Sequence, residues 1–263
     1  MPAAITRAPL RTPGSKFRVE SLDVRPSATR DVALGANVFN NTCHADQMPP
    51  LLDEAAFRRE LTTGLDGMQD RLGREQLSIA VAHARLLLQW NPVVGLTRLV
   101  EAGDLAKRHF LESLLVAGLV PPGDGAGPGL RVLDIGSGGG FPGLAMRLAR
   151  PDLVVTLLEP RGRKAAFLRA AARLYPPPPT RVIARRLEDV HDEAPWPVVT
   201  MRAVRIPVGQ LLRVTAAGAT VITLAGEQAS GTSNELAEAG FVLRRSVPIP
   251  GRVGEVLAWR RSG

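Results

Sequence analysis

Residues 131–143 read RVLDIGSGGGFPG, an apolar run that ends in an acid and gives way to a glycine-rich turn. Val132, Leu133 and Ile135 are apolar and bulky, and a turn follows at once, so Arg131 to Ile135 reads as a short buried strand. Pro142 suits a first helical position, and Leu144, Ala145, Leu148 and Ala149 recur beyond it at helical spacing, which predicts a helix starting near Pro142. The unit is strand, glycine loop, helix.

Two cofactor loops share that layout. Gly138, Gly140 and Gly143 fit the dinucleotide pattern G-x-G-x-x-G, in which a pyrophosphate sits at a helix N-terminus. Gly136, Gly138 and Gly140, preceded by Asp134, fit the D-x-G-x-G-x-G pattern of S-adenosylmethionine (SAM) sites, where bare backbone lets the methionine end and ribose lie close. A carboxylate at the strand end can receive the ammonium directly or through water, so Asp134 favours SAM. A glycine turn with only a structural role is the plain alternative.

After a Pro151-Asp152 turn, Leu153 to Leu158 forms a second apolar strand ending in Glu159. An acid about 20 residues beyond the glycine loop, at the tip of the second strand, is placed to hold a ribose diol. Both nucleotide readings share this feature.

The chain has 263 residues, enough for an α/β domain with extensions. Hydrophobic residues make up 45%, but no apolar run is long enough to span a bilayer, which predicts a soluble protein without membrane partners. A single cysteine, Cys43, allows no internal disulfide and no structural zinc site, and this fits a cytoplasmic setting. No apolar secretory segment opens the chain; Arg7, Arg11, Lys16 and Arg18 leave an organelle transit peptide as the alternative. The net charge is +8 and uneven: residues 1–128 hold 14 basic and 14 acidic side chains, residues 129–263 hold 19 and 11. A basic cofactor domain suits a polyanion such as RNA.

Residues 1–50, rich in Pro, Ala, Arg, Asn and Thr, read as a flexible extension. Helices are expected from Leu51 to about Leu65, from Arg74 to Trp90 with Asn91-Pro92 as the stop, and from about Gly103 to Leu119. They make a helical cap over 51–120, joined by a linker at 121–129 to a sheet domain over 130–263. Within that domain Arg161 to Leu174 is helical and Pro176 to Pro179 a stiff connector. Strands follow at Arg181 to Ala184, Val198 to Met201 and Ala219 to Leu224. Ser233 is expected to cap a short helix, and Phe241 to Val247 and Glu255 to Trp259 close the sheet. Alternating strands and helices imply a doubly wound α/β sheet.

Several stretches together resemble the RsmG (GidB) family of methyltransferases, which modify ring nitrogen 7 of a guanine in small-subunit (16S) ribosomal RNA. They are WNPVVGLT (Trp90 to Thr97), KRHFLES (Lys107 to Ser113), VLDIGSGGGFPG, RPDLVVTLLEP (Arg150 to Pro160), GRKAAFLR (Gly162 to Arg169), RRLEDV (Arg185 to Val190) and TMRAV (Thr200 to Val204), spread over residues 51–226. The resemblance implies a class I SAM-dependent methyltransferase, Rossmann-like, with an N-terminal helical cap, acting on small-subunit rRNA or the 30S subunit, as a cytoplasmic monomer.

By position, the resemblance places Gly136, Gly138 and Phe141 in the SAM loop, Glu159 at the ribose, and Leu187 with Glu188 beside the adenine. It puts Arg202 in the lining of the pocket for SAM and substrate, as the catalytic candidate. Arg186 reads as a solvated loop arginine at least as readily as an RNA-binding one, Trp90 as cap core, and His109 as a packing histidine satisfied by a backbone carbonyl. Two departures stand out. The family's Asn-Leu-Thr is Gly95-Leu96-Thr97 here, and its Leu-Lys-Gly is Leu224-Ala225-Gly226, so a lysine suited to RNA phosphate is absent.

The missing residues agree with the chemistry. Methyltransferases of exocyclic amines commonly carry an Asn/Asp-Pro-Pro-aromatic loop after the fourth strand, whereas this chain has Met201-Arg202-Ala203-Val204. Ring nitrogen 7 already presents a lone pair, so positioning can supply most of the catalysis and no general base is assigned. The rivals are an RNA-binding or ribosome-associated module of the same fold with altered or lost activity, and a nicotinamide-dependent oxidoreductase on the other glycine register.

Overall fold

Seven strands run in the order β3-β2-β1-β4-β5-β7-β6. The computed structural model describes residues 50–65, 72–123, 129–225 and 230–262. Apart from Pro50, the extension expected over 1–50 lies outside them, as do residues 124–128 of the expected linker.

β1 (Arg131–Ile135) pairs in parallel with β2 (Val154–Leu158) on one side and β4 (Trp196–Met201) on the other. β3 (Arg181–Ile183) and β5 (Thr215–Ala225) extend the parallel set outward. β7 (Glu255–Arg261) runs antiparallel between β5 and β6 (Phe241–Pro248). This is the class I methyltransferase sheet, with the strand order reversing between β1 and β4. In an open α/β sheet, ligands bind outside the carboxyl ends of the strands at that reversal.

One face of the sheet carries three N-terminal helices. α1 (Glu54–Gly64) is capped by Asp53, whose carboxylate accepts from the Ala56 N–H at 2.9 Å. α2 spans Arg74–Val94. α3 runs without a break through Ala102–Leu105, a π-helical turn at Ala106–Leu111, and Glu112–Leu119. Their apolar stripes share one core with Val132 and Val155 of the sheet. Trp90 of α2 meets Phe167 of α5 (Gly162–Ala172) edge-on at 5.9 Å, so it joins the helices to the sheet region. The opposite face is sealed by α6 (Val208–Val214) and α7 (Ser230–Glu238) over Leu133, Ile135 and Val199.

Several sequence expectations shift. α2 passes through Pro92 and ends at Gly95, in the left-handed conformation at φ 66°. A proline one turn from a helix end removes a single hydrogen bond, and the later carbonyls are met by the cap. Ser233 lies inside α7 rather than capping it, and α6 has no counterpart in the sequence reading. The helix after the glycine loop, α4, is only Gly143–Met146, so Leu148 and Ala149 fall in turns beyond it.

Candidate active site

The glycine loop grows directly out of the sheet. The N–H groups of Gly136 and Ser137 both donate to the Leu158 carbonyl, at 2.8 and 3.2 Å, which extends the β1–β2 ladder into the turn. Gly136, Gly138 and Gly140 all have left-handed backbones, at φ 71°, 53° and 87°, which glycine adopts without strain. A Cβ added at Gly136 would lie 2.5 Å from Val204 Cγ1, so the loop is closed from above by the segment after β4. At Gly138 nothing comes nearer than 3.7 Å, which leaves open space over the middle of the loop.

Asp134 is fully buried. Its Oδ1 accepts from the Thr200 hydroxyl at 2.8 Å and its Oδ2 from the Gly143 N–H at 3.2 Å. It therefore ties β1 to β4 and to the start of α4, and does not present an oxygen to a ligand. Burial raises its pKa to about 6, opposed first by the Thr200 hydrogen bond. Glu159 is also buried; its Oε2 accepts from Gly138 N–H at 3.1 Å and its Oε1 from Arg161 N–H at 3.0 Å. Each oxygen keeps a second lone pair.

Under the loop lies an aromatic stack that sequence reasoning missed. Phe141 is sandwiched between His83, at 4.8 Å between centroids, and His109, at 4.6 Å. His83 Nε2 faces the Gly139 carbonyl at 2.9 Å and must donate to it, so Nδ1 accepts from the Tyr175 hydroxyl at 2.8 Å. His109 Nδ1 accepts from Arg202 Nη2 at 3.1 Å, and its Nε2 then donates to Thr97 Oγ1 at 2.8 Å. A guanidinium only donates, which assigns the tautomer. Burial is the first cause that lowers His83 to about 4 and His109 to about 3, with the Arg202 charge second for His109. Both rings are neutral at pH 7. Beside the backbone carbonyl expected as the partner of His109, supplied by Arg108, two side chains, Thr97 and Arg202, meet the ring, which is buried in the π-helical turn.

Arg202 follows β4 on the face that Val198 and Thr200 share. Ala203 then turns the chain with φ 55°, a conformation uncommon outside glycine and found at functional sites. Besides His109, the guanidinium faces Glu112 Oε2 at 3.7 Å. At the rim beyond β3, Leu187–Asp189 forms a single 3-10 turn, with Leu187 buried and Glu188 exposed. Arg186 is exposed and lies 3.7 Å from Glu188, which suits a solvated arginine.

The family described as rRNA small subunit methyltransferase G (GidB) matches residues 76–241. The chain is 35% identical to ribosomal RNA small subunit methyltransferase G of Methylobacillus flagellatus over 56% of its own length and 68% of the relative's. With the protein of that name from Thermobifida fusca it shares 36% identity over 66% and 71% of the two chains. With the one from Alkalilimnicola ehrlichii it shares 32% over 76% and 90%. The chain belongs to the rRNA small subunit methyltransferase G family.

Membership in the methyltransferase G family makes sense of one departure. Gly95 stands where the resemblance drawn from the motifs expects asparagine, and its left-handed φ of 66° is a conformation that glycine and asparagine both tolerate. Asn91 supplies the fold of the turn instead: its Oδ1 accepts from Leu96 and Thr97 N–H at 2.8 and 2.9 Å, which sets the Thr97 hydroxyl against His109. The dinucleotide register loses its physical basis, because a pyrophosphate site needs an ordered helix start and α4 has four residues. Of the sequence candidates, Gly136, Gly138, Glu159 and Arg202 converge on the β1/β4 reversal. Phe141 is buried beneath the loop, and its ring contacts are with other rings.

Proposed function

We propose that this protein transfers a methyl group from SAM to ring nitrogen 7 of a guanine in small-subunit ribosomal RNA. The observation that carries this reading is the meeting of a SAM-type glycine loop at the end of β1 with a held guanidinium, Arg202, at the end of β4. The family membership supplies the substrate class.

The residues present fit SAM. Open space lies over Gly138, and the Glu159 carboxylate has lone pairs left for a ribose diol. Leu187 offers an apolar wall for adenine, with Glu188 beside it. Bound there, SAM supplies an electrophilic methyl group on a sulfonium. The protein contributes position. The stack of His83, Phe141 and His109 fixes the loop from below, while His109, kept neutral, accepts from Arg202 and aims it. Arg202 can then hold a carboxylate or a base oxygen in register with the attacking nitrogen. No side chain has to remove a proton.

We assign the 30S subunit or its RNA as the partner, and a cytoplasmic monomer as the working form. The surplus of basic side chains over residues 129–263 supports the polyanionic partner. No helix among the described residues is long and apolar enough to cross a membrane. The test is calorimetry with SAM, S-adenosylhomocysteine and NADH, followed by transfer of labelled methyl to 30S subunits and to naked small-subunit RNA. SAM binding with transfer is expected. SAM binding without transfer to either substrate would favour a ribosome-associated module, the reading to which Ala225 in place of lysine lends weight.

A further inference from the structure

Glu112 follows the π-helical turn of α3, and its side chain is only 2% exposed. A buried carboxylate is costly unless cations meet it, and two arginines from different elements do so. Arg252, in the turn between β6 and β7, donates its Nε to Glu112 Oε1 at 2.7 Å. Both residues line a cavity of about 640 Å³ between α3 and that turn. The turn leads into the start of β7, which pairs with the last residue of β5, so it stands at the ligand side of the sheet. Arg202, at the end of β4, faces the other oxygen, Oε2, with its Nη2 at 3.7 Å. That is an ion pair without a hydrogen bond, and Oε2 accepts from no other group among the described residues. His109, three residues earlier on the same helix, accepts from the same Arg202 nitrogen. Burial holds the Arg202 guanidinium below its ordinary pKa, and the Glu112 charge is the first of the influences that oppose this.

We propose that Glu112 is a positioning residue for methyl transfer: its carboxylate supplies the counter-charge that keeps the Arg202 guanidinium in place, and Arg252 pins that carboxylate from the β6–β7 turn. The proposal rests on the reading of Arg202 as the group that holds donor or base in register. His109, being neutral, directs one N–H of the fork but does not balance its charge. Glu112 balances the charge and, at 3.7 Å, takes no hydrogen bond from the fork. A carboxylate paired with Arg202 alone would move with it. One held at 2.7 Å by an arginine from another element is a fixed point against which the guanidinium is set. The β6–β7 turn thereby shapes the site through Glu112.

The test is a double-mutant cycle in the intact protein, read by methyl transfer to 30S subunits or small-subunit RNA, with calorimetry of SAM binding and melting curves alongside. Glu112→Gln keeps the shape and removes the charge; it should lower kcat by about 10- to 100-fold and change the Kd for SAM by less than about threefold. In an Arg202→Lys background the same change should cost less than about threefold, because a residue that acts through the guanidinium has nothing left to position. Glu112→Asp keeps the charge on a shorter arm and should recover part of the loss. Arg252→Gln leaves Glu112 its pair with Arg202 but unpins it, and should lower kcat by about three- to tenfold. Losses that multiply in the Glu112→Gln, Arg202→Lys double variant overturn the proposal, and so does a folded Glu112→Gln at the parent rate. Should Glu112→Gln fail to fold, Arg252→Gln decides: a parent-like kcat overturns the proposal and a lowered kcat with unchanged SAM affinity supports it. A parent that binds SAM and methylates neither substrate overturns the functional reading itself, and is told apart by that.

Discussion

His109 accepts a hydrogen bond from Arg202 at 3.1 Å while lying flat on Phe141, and so links the glycine loop to a guanidinium that also faces Glu112. Arg202 is therefore held from two sides, and its replacement has two separable effects. Arg202→Ala leaves Glu112 buried beside Arg252 alone and should lower the melting temperature as well as activity. Arg202→Lys keeps the charge but not the fork of donors, and should retain most of the stability while methyl transfer falls by about 100-fold. Unchanged transfer by a normally melting Arg202→Lys would sink the assignment. His109→Phe keeps the stack and removes the acceptor, so it should lower kcat by about tenfold and leave SAM affinity nearly unchanged.

Gly136 is closed in by Val204 and has a left-handed backbone. Gly136→Val should abolish SAM binding in calorimetry, through a shifted loop rather than through a side chain in the ligand's place. Strain of about 1–3 kcal/mol is expected in the fold, read as a lower melting temperature. A parent-like Kd in this variant would show that the loop does not hold the cofactor.

The two buried histidines predict an acid-sensitive fold. Their ordinary value is 6.5, and in the folded protein His83 is lowered to about 4 and His109 to about 3. Below pH 6.5 the unfolded chain binds protons that the folded chain refuses, so their contribution is lost as pH falls. Asp134 acts the other way between 3.8 and about 6, because its folded form holds the proton longer. Two histidines against one aspartate leave about one proton, or about 1.4 kcal/mol lost per pH unit from 6 towards 4. Melting curves across pH 4 to 8 measure this. His83→Phe should flatten the slope in that window; an equally steep profile would contradict the burial argument.

RNA affinity should fall steeply with salt. If the basic side chains of residues 129–263 contact phosphate, log Kd plotted against log salt should rise by about one for each phosphate contact. Filter binding to small-subunit RNA between low and moderate salt is the measurement. A flat response would remove charge as the basis of the interaction.

Much of this protein was legible along the chain. Strand β1, the glycine loop, β2 with Glu159, and Arg202 at the end of β4 follow from short-range rules: apolar runs, period two, and glycine where the backbone must turn left-handed. The motifs around them resemble the RsmG family closely enough to imply fold and chemistry. What lies between elements could not be read that way. His83 sits on an apolar helix face with nothing in its neighbourhood to show that Gly139 and Tyr175, 56 and 92 residues away, complete it. Asp134 looked like a ligand acid and is a buried tie, because its partner Thr200 comes from a strand 66 residues on. Glu112 and Arg252, 140 residues apart, make one wall only once the β6–β7 turn reaches α3. Local propensity acts over a few residues, whereas burial, tautomer and orphaned polar atoms are set by neighbours that only the folded sheet brings together.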